Sequence, residues 1–116
     1  MQLLLPMVYF AFPMVYAHSM LEVRKSTTYD KWFSGLRDRQ ARVRIAARVD
    51  RLIAGNPGDV KPTRGGVSEL RIDYGPGYRV YFALRGTSLL LLLAGGDKRT
   101  QDANIDKAIE ILKQWR

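Results

Sequence analysis

The chain has 116 residues, one domain's worth of sequence, and with 47% hydrophobic residues it can bury a core. It has no cysteine, which excludes a disulfide framework and any Cys-based metal site and suits a cytoplasmic location. Nineteen Lys and Arg against eleven Asp and Glu leave a net charge of +8, which points to a polyanionic partner, with solubility alone the bland reading.

Residues 1–19, "MQLLLPMVYFAFPMVYAHS", carry no Lys, Arg, Asp or Glu and hold the single histidine, His18. The segment is too short and too broken by Pro6 and Pro13 to span a membrane well. It has an apolar run but no positive n-region, so it matches a secretory signal only in part. The reading preferred here is an extension upstream of the natural start, with Met20 as initiator and residues 20–116 as the functional domain. A signal peptide and an extra element packed on the domain are the rivals.

From Met20 the elements follow in order. Leu21–Lys25 reads as a short strand, and Ser26 or Thr27 caps a helix whose Tyr29, Trp32, Phe33 and Leu36 share one face. Asp38 caps a second helix with a buried stripe of Ala41, Ile45, Val49, Leu52 and Ile53, while Arg44, Arg48 and Arg51 repeat on another face. "GNPG" at 55–58 stops it, and a basic loop "KPTRGG" follows. "VSELRIDY" alternates as a strand, "GPG" at 75–77 makes a turn, and Tyr78, Val80, Phe82 and Leu84 form the apolar side of the next strand. The register expected is Leu70 opposite Phe82 and Ile72 opposite Val80, which sets Arg71 against Tyr81 and Asp73 against Arg79. Gly86-Thr87 closes a second hairpin, and the continuous run Leu89–Ala94 is a central strand covered on both faces. Thr100 caps a last helix with Ile105, Ala108, Ile109, Leu112 and Trp115 inward. The predicted fold is α+β in the order β-α-α-β-β-β-α. A mostly antiparallel sheet of about four strands carries the two N-terminal helices on one face, a C-terminal helix follows, and the other face is partly open.

That open face raises the functional question, because Arg71, Arg79, Tyr81 and Arg85 alternate onto it and Lys98 and Arg99 leave the end of the neighbouring strand. Arg holds phosphate bidentately and Tyr can stack on a base. The bland alternative is a solvated face with Arg79–Asp73 and Arg71–Glu69 ion pairs, each worth little. Between Arg24 and Arg51 nine basic residues face three acidic ones, which adds a second basic surface. The domain lacks His and Cys, so Ser-His and Cys-His nucleophiles are excluded, and Glu69, Asp73 and Asp97 are too scattered for a metal cluster. RNA brings its own nucleophile, the 2′-OH. Arg and Lys can orient it and stabilise the phosphorane without a cofactor, with proton transfer left to Tyr or Lys.

"ELRIDYGPGYRVYF" and "GGDKRTQ" followed by "IDKA" resemble the RelE/ParE superfamily of toxin–antitoxin toxins, closest to its HigB-like branch, over about Leu21 to Trp115. The resemblance implies a compact α+β toxin neutralised by a cognate antitoxin, often a small helix-turn-helix protein. RelE- and HigB-like members cut mRNA in the ribosomal A site. By position, Arg71 and Arg79 match the family's strand arginines and Lys98 matches the lysine of its "GGDK" end. Tyr81 is assigned here to stacking on or orienting a nucleotide. Arg42, Arg44, Arg48, Arg51, Lys61, Arg64, Arg85 and Arg99 are the candidates for holding RNA. The expectation is therefore a type II toxin that acts as a metal-independent, ribosome-dependent endoribonuclease in the cytoplasm. A ParE-like inhibitor of DNA gyrase, or an inactive member that only binds antitoxin, is the alternative.

Overall fold

The continuous apolar run becomes an interior strand, as its composition requires. In the computed structural model, which describes residues 21–115, β5 (Leu89–Asp97) lies between β1 (Glu22–Lys25) and β4 (Tyr78–Arg85). The sheet has five strands in the order β1-β5-β4-β3-β2, with β3 at Ser68–Ile72 and β2 at Val60–Pro62. β1 runs parallel to β5 and all other pairs are antiparallel. The expectations for residues 1–19, His18 included, and for Met20 lie outside the described residues.

Two helices precede β2. Ser26 begins α1 (Thr27–Gly35) by accepting the Tyr29 N–H, and its own hydroxyl donates to Leu93 O at 2.5 Å, which ties the cap to the sheet. Asp38 caps α2 (Arg39–Ile53) by accepting from Gln40 N and Ala41 N, as predicted. Both helices pack on one sheet face, where Tyr29, Ile45, Val49 and Leu52 meet Leu70, Val80, Phe82, Leu90 and Leu92. Each fully buried side chain of this kind contributes about 1.5–3 kcal/mol.

The structure differs from the expectation in four places. The basic loop begins as an edge strand, so the sheet has five strands; Pro62 is tolerated because an edge position needs no further N–H donor. The β3–β4 register is shifted by two residues, with Leu70 opposite Val80 and Ile72 opposite Tyr78. A two-residue shift keeps every side chain on its predicted face, so the apolar pattern cannot tell the two registers apart. The second face is not simply open, because α3 (Gln101–Gln114) lies over it and buries Tyr81, Ala83, Leu91, Leu93 and Ala94 against Ile105 and Ala108. Thr100 precedes α3 without making a side-chain cap. Asp97 caps the intervening 3-10 turn (Lys98–Thr100) instead, accepting from Arg99 N at 2.9 Å.

A register break between Tyr81 and Phe82 inserts Leu93 as an extra residue on β5, so Leu93 and Ala94 both contribute to the cluster beneath α3. Beyond it, Gly95 and Gly96 admit close neighbours. A Cβ on Gly95 would lie 2.1 Å from the Trp32 ring, and one on Gly96 would lie 1.9 Å from Asn104 Oδ1. The two glycines let α1 and α3 each approach one face of the strand end that leads to Lys98.

Candidate functional site

α3 covers the second face only in part, and the site lies where it stops. The shifted register sets Arg71 directly opposite Arg79, and Glu69 opposite Tyr81. Like charges opposite each other on a sheet destabilise it, so the pair needs a counter-charge. Glu69 supplies one. It is 1% exposed, and its Oε1 accepts from Arg71 Nε at 3.0 Å. Its Oε2 accepts from Gln101 Nε2 at 2.7 Å and from the Tyr81 hydroxyl at 3.1 Å. Arg79 Nε lies 3.8 Å from the same oxygen, close enough for attraction but beyond hydrogen-bond reach, which leaves that buried N–H without a hydrogen-bond partner.

Burial pushes the Glu69 carboxyl upward. Hydrogen bonds from Gln101, Arg71 and Tyr81, with the Arg79 charge, outweigh that and hold it below the usual carboxylate range. Burial first, and then the Glu69 charge and hydrogen bond, push the Tyr81 phenol far above its usual value.

The arginine backbones and side chains are fixed from both sides. Arg48 of α2 donates to Arg71 O, and to Pro57 O at 2.9 Å. Arg79 Nη1 donates to Gly77 O at 3.0 Å and Tyr78 O at 3.2 Å, bracing the GPG turn. Gly77 has φ +82°, a conformation that glycine adopts freely, and it packs beside both Arg79 Nη1 and Lys98 Cβ. The turn thereby brings Lys98 to the arginine pair. Arg71, Arg79, Lys98, Asp59, Asp73 and the Gly75–Gly77 turn line one cleft of about 330 Å³. Directed cationic donors, flanked by two carboxylates at the rim, suit an oxyanion carried by a group that also has donors of its own.

Three of the four residues expected to carry chemistry, Arg71, Arg79 and Lys98, therefore meet in one place. The fourth does not. Tyr81 is 0% exposed under α3 and its hydroxyl donates to Glu69, so neither its ring face nor its hydroxyl is free for a ligand. The misassignment followed from reading this face as open at Tyr81.

The residues expected to hold RNA divide by what they already bind. Arg85 donates to Leu112 O at 3.0 Å and Trp115 O at 2.7 Å, so it closes the C-terminus of α3 rather than facing a ligand. Arg48 is the strap already described. Arg42 donates to Leu36 O at the α1–α2 corner. Arg44 lies 4.7 Å over the Tyr74 ring, and Tyr74 in turn donates to Asp38 at 3.0 Å. Arg64 pairs with Asp106 at 2.7 Å and Arg99 with Asp97 at 3.1 Å. Arg51 and Lys61 are exposed. A second hollow of about 240 Å³ is lined by Arg44, Arg48 and Arg51 with Ala47, Ile72 and Asp73. The Arg79–Asp73 ion pair of the bland alternative is replaced by Arg79–Glu69, while Arg71–Glu69 is present. Sequence reasoning took Glu69 only as the partner of Arg71 in a solvated ion pair, and it missed Gln101. Glu69 was legible in one respect, since strand alternation puts it on the face of Arg71. Gln101 had no signal, because only the docking of α3 brings it to β3.

Among the described residues no three His, Cys, Asp or Glu side chains gather as a metal-binding group, and no helix is long and apolar enough to cross a membrane.

Comparison with known proteins bears on the whole domain. Residues 31–114 match the family model described as "Phage derived protein Gp49-like (DUF891)", which spans the site from α1 to α3. An uncharacterized protein of Haemophilus influenzae (strain ATCC 51907 / DSM 11121 / KW20 / Rd) is 46% identical over 88 residues, 76% of this chain and 89% of that protein. Toxin–antitoxin membership implies an antitoxin as partner. On the strength of both matches, the chain belongs to the Gp49-like family of phage-derived proteins, a RelE/ParE-like toxin–antitoxin family.

Proposed function

We propose that the protein is the toxin of a type II module and cleaves mRNA on the ribosome, as HigB-like toxins do, by attack of the RNA 2′-OH on the scissile phosphate. The observation that carries the reading is the convergence of Arg71, Arg79 and Lys98 on one cleft. Arg71 and Arg79 bind the phosphate and stabilise its extra charge in the phosphorane. Lys98 stabilises the departing 5′-oxygen and gives it a proton, while the proton of the attacking 2′-OH passes to solvent water. Preorganised donors of this kind are worth about 3 kcal/mol each, or roughly a hundredfold in rate. Glu69 is not the base in this scheme, because both its oxygens are occupied and its depressed pKa leaves little proton affinity. Outside the cleft, Arg51, Lys61, Arg64 and Arg99 remain available for ribosomal RNA, since ion pairs as exposed as those of Arg64 and Arg99 are exchanged at little cost. The reaction takes place in the cytoplasm, and a helix-turn-helix antitoxin holds the toxin inactive.

Induction without antitoxin tests this. Rapid translation arrest with mRNA cut at defined sites supports it, and Arg71→Ala should abolish the cuts. A DNA-damage response over intact mRNA would instead mark a gyrase inhibitor, and undisturbed growth a member that only binds antitoxin.

A further inference from the structure

The Glu69 carboxylate is a buried charge that the proposed chemistry leaves without a role. It sits on β3 two residue pairs along from the Arg71–Arg79 pair, and so on the same face, and receives four groups. Two are charged, Arg71 at 3.0 Å and Arg79 at 3.8 Å, and two are neutral, Tyr81 at 3.1 Å and Gln101 at 2.7 Å. A buried ion pair stabilises little in itself, because both partners lose water. Replacing all three charged groups together by packed apolar residues would serve the fold as well. Retaining a carboxylate at 1% exposure therefore calls for another reason, and the geometry offers one.

Arg side chains carry several rotatable bonds, and two guanidinium groups set opposite each other repel. Arg79 is also held by Gly77 O and Tyr78 O, so it is Arg71 above all that would swing away into solvent if left alone. The carboxylate behind them draws in both Nε positions, Arg71 by a hydrogen bond and Arg79 by attraction. That orientation leaves the outer nitrogens of Arg71 and the Nη2 of Arg79 for the cleft, while Arg79 Nη1 is held by Gly77 O and Tyr78 O. Arg79 is 12% exposed and Arg71 33%, so one is largely fixed and the other is held at the mouth. The neutral donors matter as well. Tyr81 and Gln101 saturate Oε2 without adding positive charge, and they come from two other elements, β4 and α3. The carboxylate is thereby fixed against the arginines by the fold itself.

We propose that Glu69 is a positioning residue that converts the opposed Arg71 and Arg79 into a preorganised clamp for one phosphodiester group, with Tyr81 and Gln101 holding it in place. It does not touch the ligand; its effect on binding passes through the two arginines. The inference rests on the phosphodiester reading of the cleft, but its central claim concerns how the arginines are held.

The experiment has two arms. The first uses no ligand: the side-chain Nε–H resonances of Arg71 and Arg79 are followed by NMR in the full chain. Protected, shifted signals are expected in the parent, and their collapse toward solvent-exposed values in Glu69→Gln. The second titrates a short, uncleavable 2′-O-methyl RNA into the parent, Glu69→Gln, Arg71→Ala/Arg79→Ala, and the triple variant. Glu69→Gln should weaken binding about tenfold, and it should cause no further loss once both arginines are gone, the non-additivity expected of groups that act as one unit. Glu69→Asp should restore part of the affinity. If Glu69→Gln does not fold, Tyr81→Phe/Gln101→Ala keeps the carboxylate but frees it, and should weaken binding several-fold. Unchanged Nε–H signals, or a Glu69→Gln effect that persists without the arginines, would overturn the proposal. Collapse of the signals in a protein whose parent binds no RNA would leave Glu69 as the arginine holder and overturn the RNA reading.

Discussion

Arg79 serves the fold and the cleft at once, and a substitution separates the two contributions. A surface arginine on a strand costs little to remove, but this one braces Gly77 O and Tyr78 O. Arg79→Ala is expected to lose about 1–2 kcal/mol of stability as well as about a hundredfold in toxicity. Thermal melts and growth after induction measure both, and killing at the parent rate would show that the cleft is not the site. Glu69 gives a pH signature. Its folded pKa is depressed, so its ionised form stabilises the fold above the unfolded glutamate value of about 4.3, and that contribution is lost as pH falls through the folded value. The melting temperature of the parent should exceed that of Glu69→Gln at neutral pH, and the gap should narrow steadily below about pH 4.3. A gap that is constant with pH would place the effect of the variant elsewhere. Two glycines should respond in opposite senses. Gly95→Ala drives a methyl into the Trp32 ring and should cost about 1–3 kcal/mol, whereas Gly35→Ala at the end of α1 meets nothing within 4 Å and should be neutral or stabilising in the same melts.

Helix α3 carries more of the site's architecture than a terminal amphipathic helix suggests. Its first residue, Gln101, reaches Glu69, and its last turn is closed from β4 by Arg85. Arg85→Ala removes charged donors from carbonyls that have no helical partner, so α3 should fray at its C-terminus. The expected cost is about 1–2 kcal/mol, read as faster hydrogen exchange over residues 112–115, with RNA affinity unchanged. A selective loss of RNA binding with no change in exchange would return Arg85 to the interface. Each α-helix among the described residues announced itself in the sequence, because the stripes of α1, α2 and α3 recur at helical spacing and Ser26 and Asp38 are strong N-caps. The face that α3 covers was also implied. Leu89–Ala94 alternates sides, so a run without polar residues requires cover on both, and the stripe Ile105–Ala108–Leu112 supplies it. The strand at Val60–Pro62 gave no such sign, because three residues containing a proline are too few to show alternation.

For the molecule as a whole, the described elements form one sheet with helices on both faces, and the +8 charge lies outside its two cores. Residues 1–19 carry no Lys, Arg, Asp or Glu and are broken by Pro6 and Pro13, and β1 begins two residues after Met20. A chain begun at Met20 should accordingly melt at the parent temperature and be equally toxic, and a marked fall in either would make residues 1–19 part of the working protein. The α+β class, the helix faces, four of the five strands and the identity of Arg71, Arg79 and Lys98 as a basic set followed from periodicity, capping residues and motif. Register, and with it the site, did not. Alternation has a period of two, so moving β3 past β4 by two residues leaves every face unchanged yet replaces an Arg71–Tyr81 neighbourhood by an Arg71–Arg79 pair. Only the GPG turn and the docked N-terminus of α3 choose between those alternatives, by placing Lys98 beside Gly77 and Gln101 on Glu69. Those contacts join residues far apart in the chain through packing and hydrogen bonds, which no local pattern records. The tertiary structure therefore decided that Tyr81 is buried, that Arg85 and Arg48 are structural, and that a buried carboxylate lies behind the two arginines.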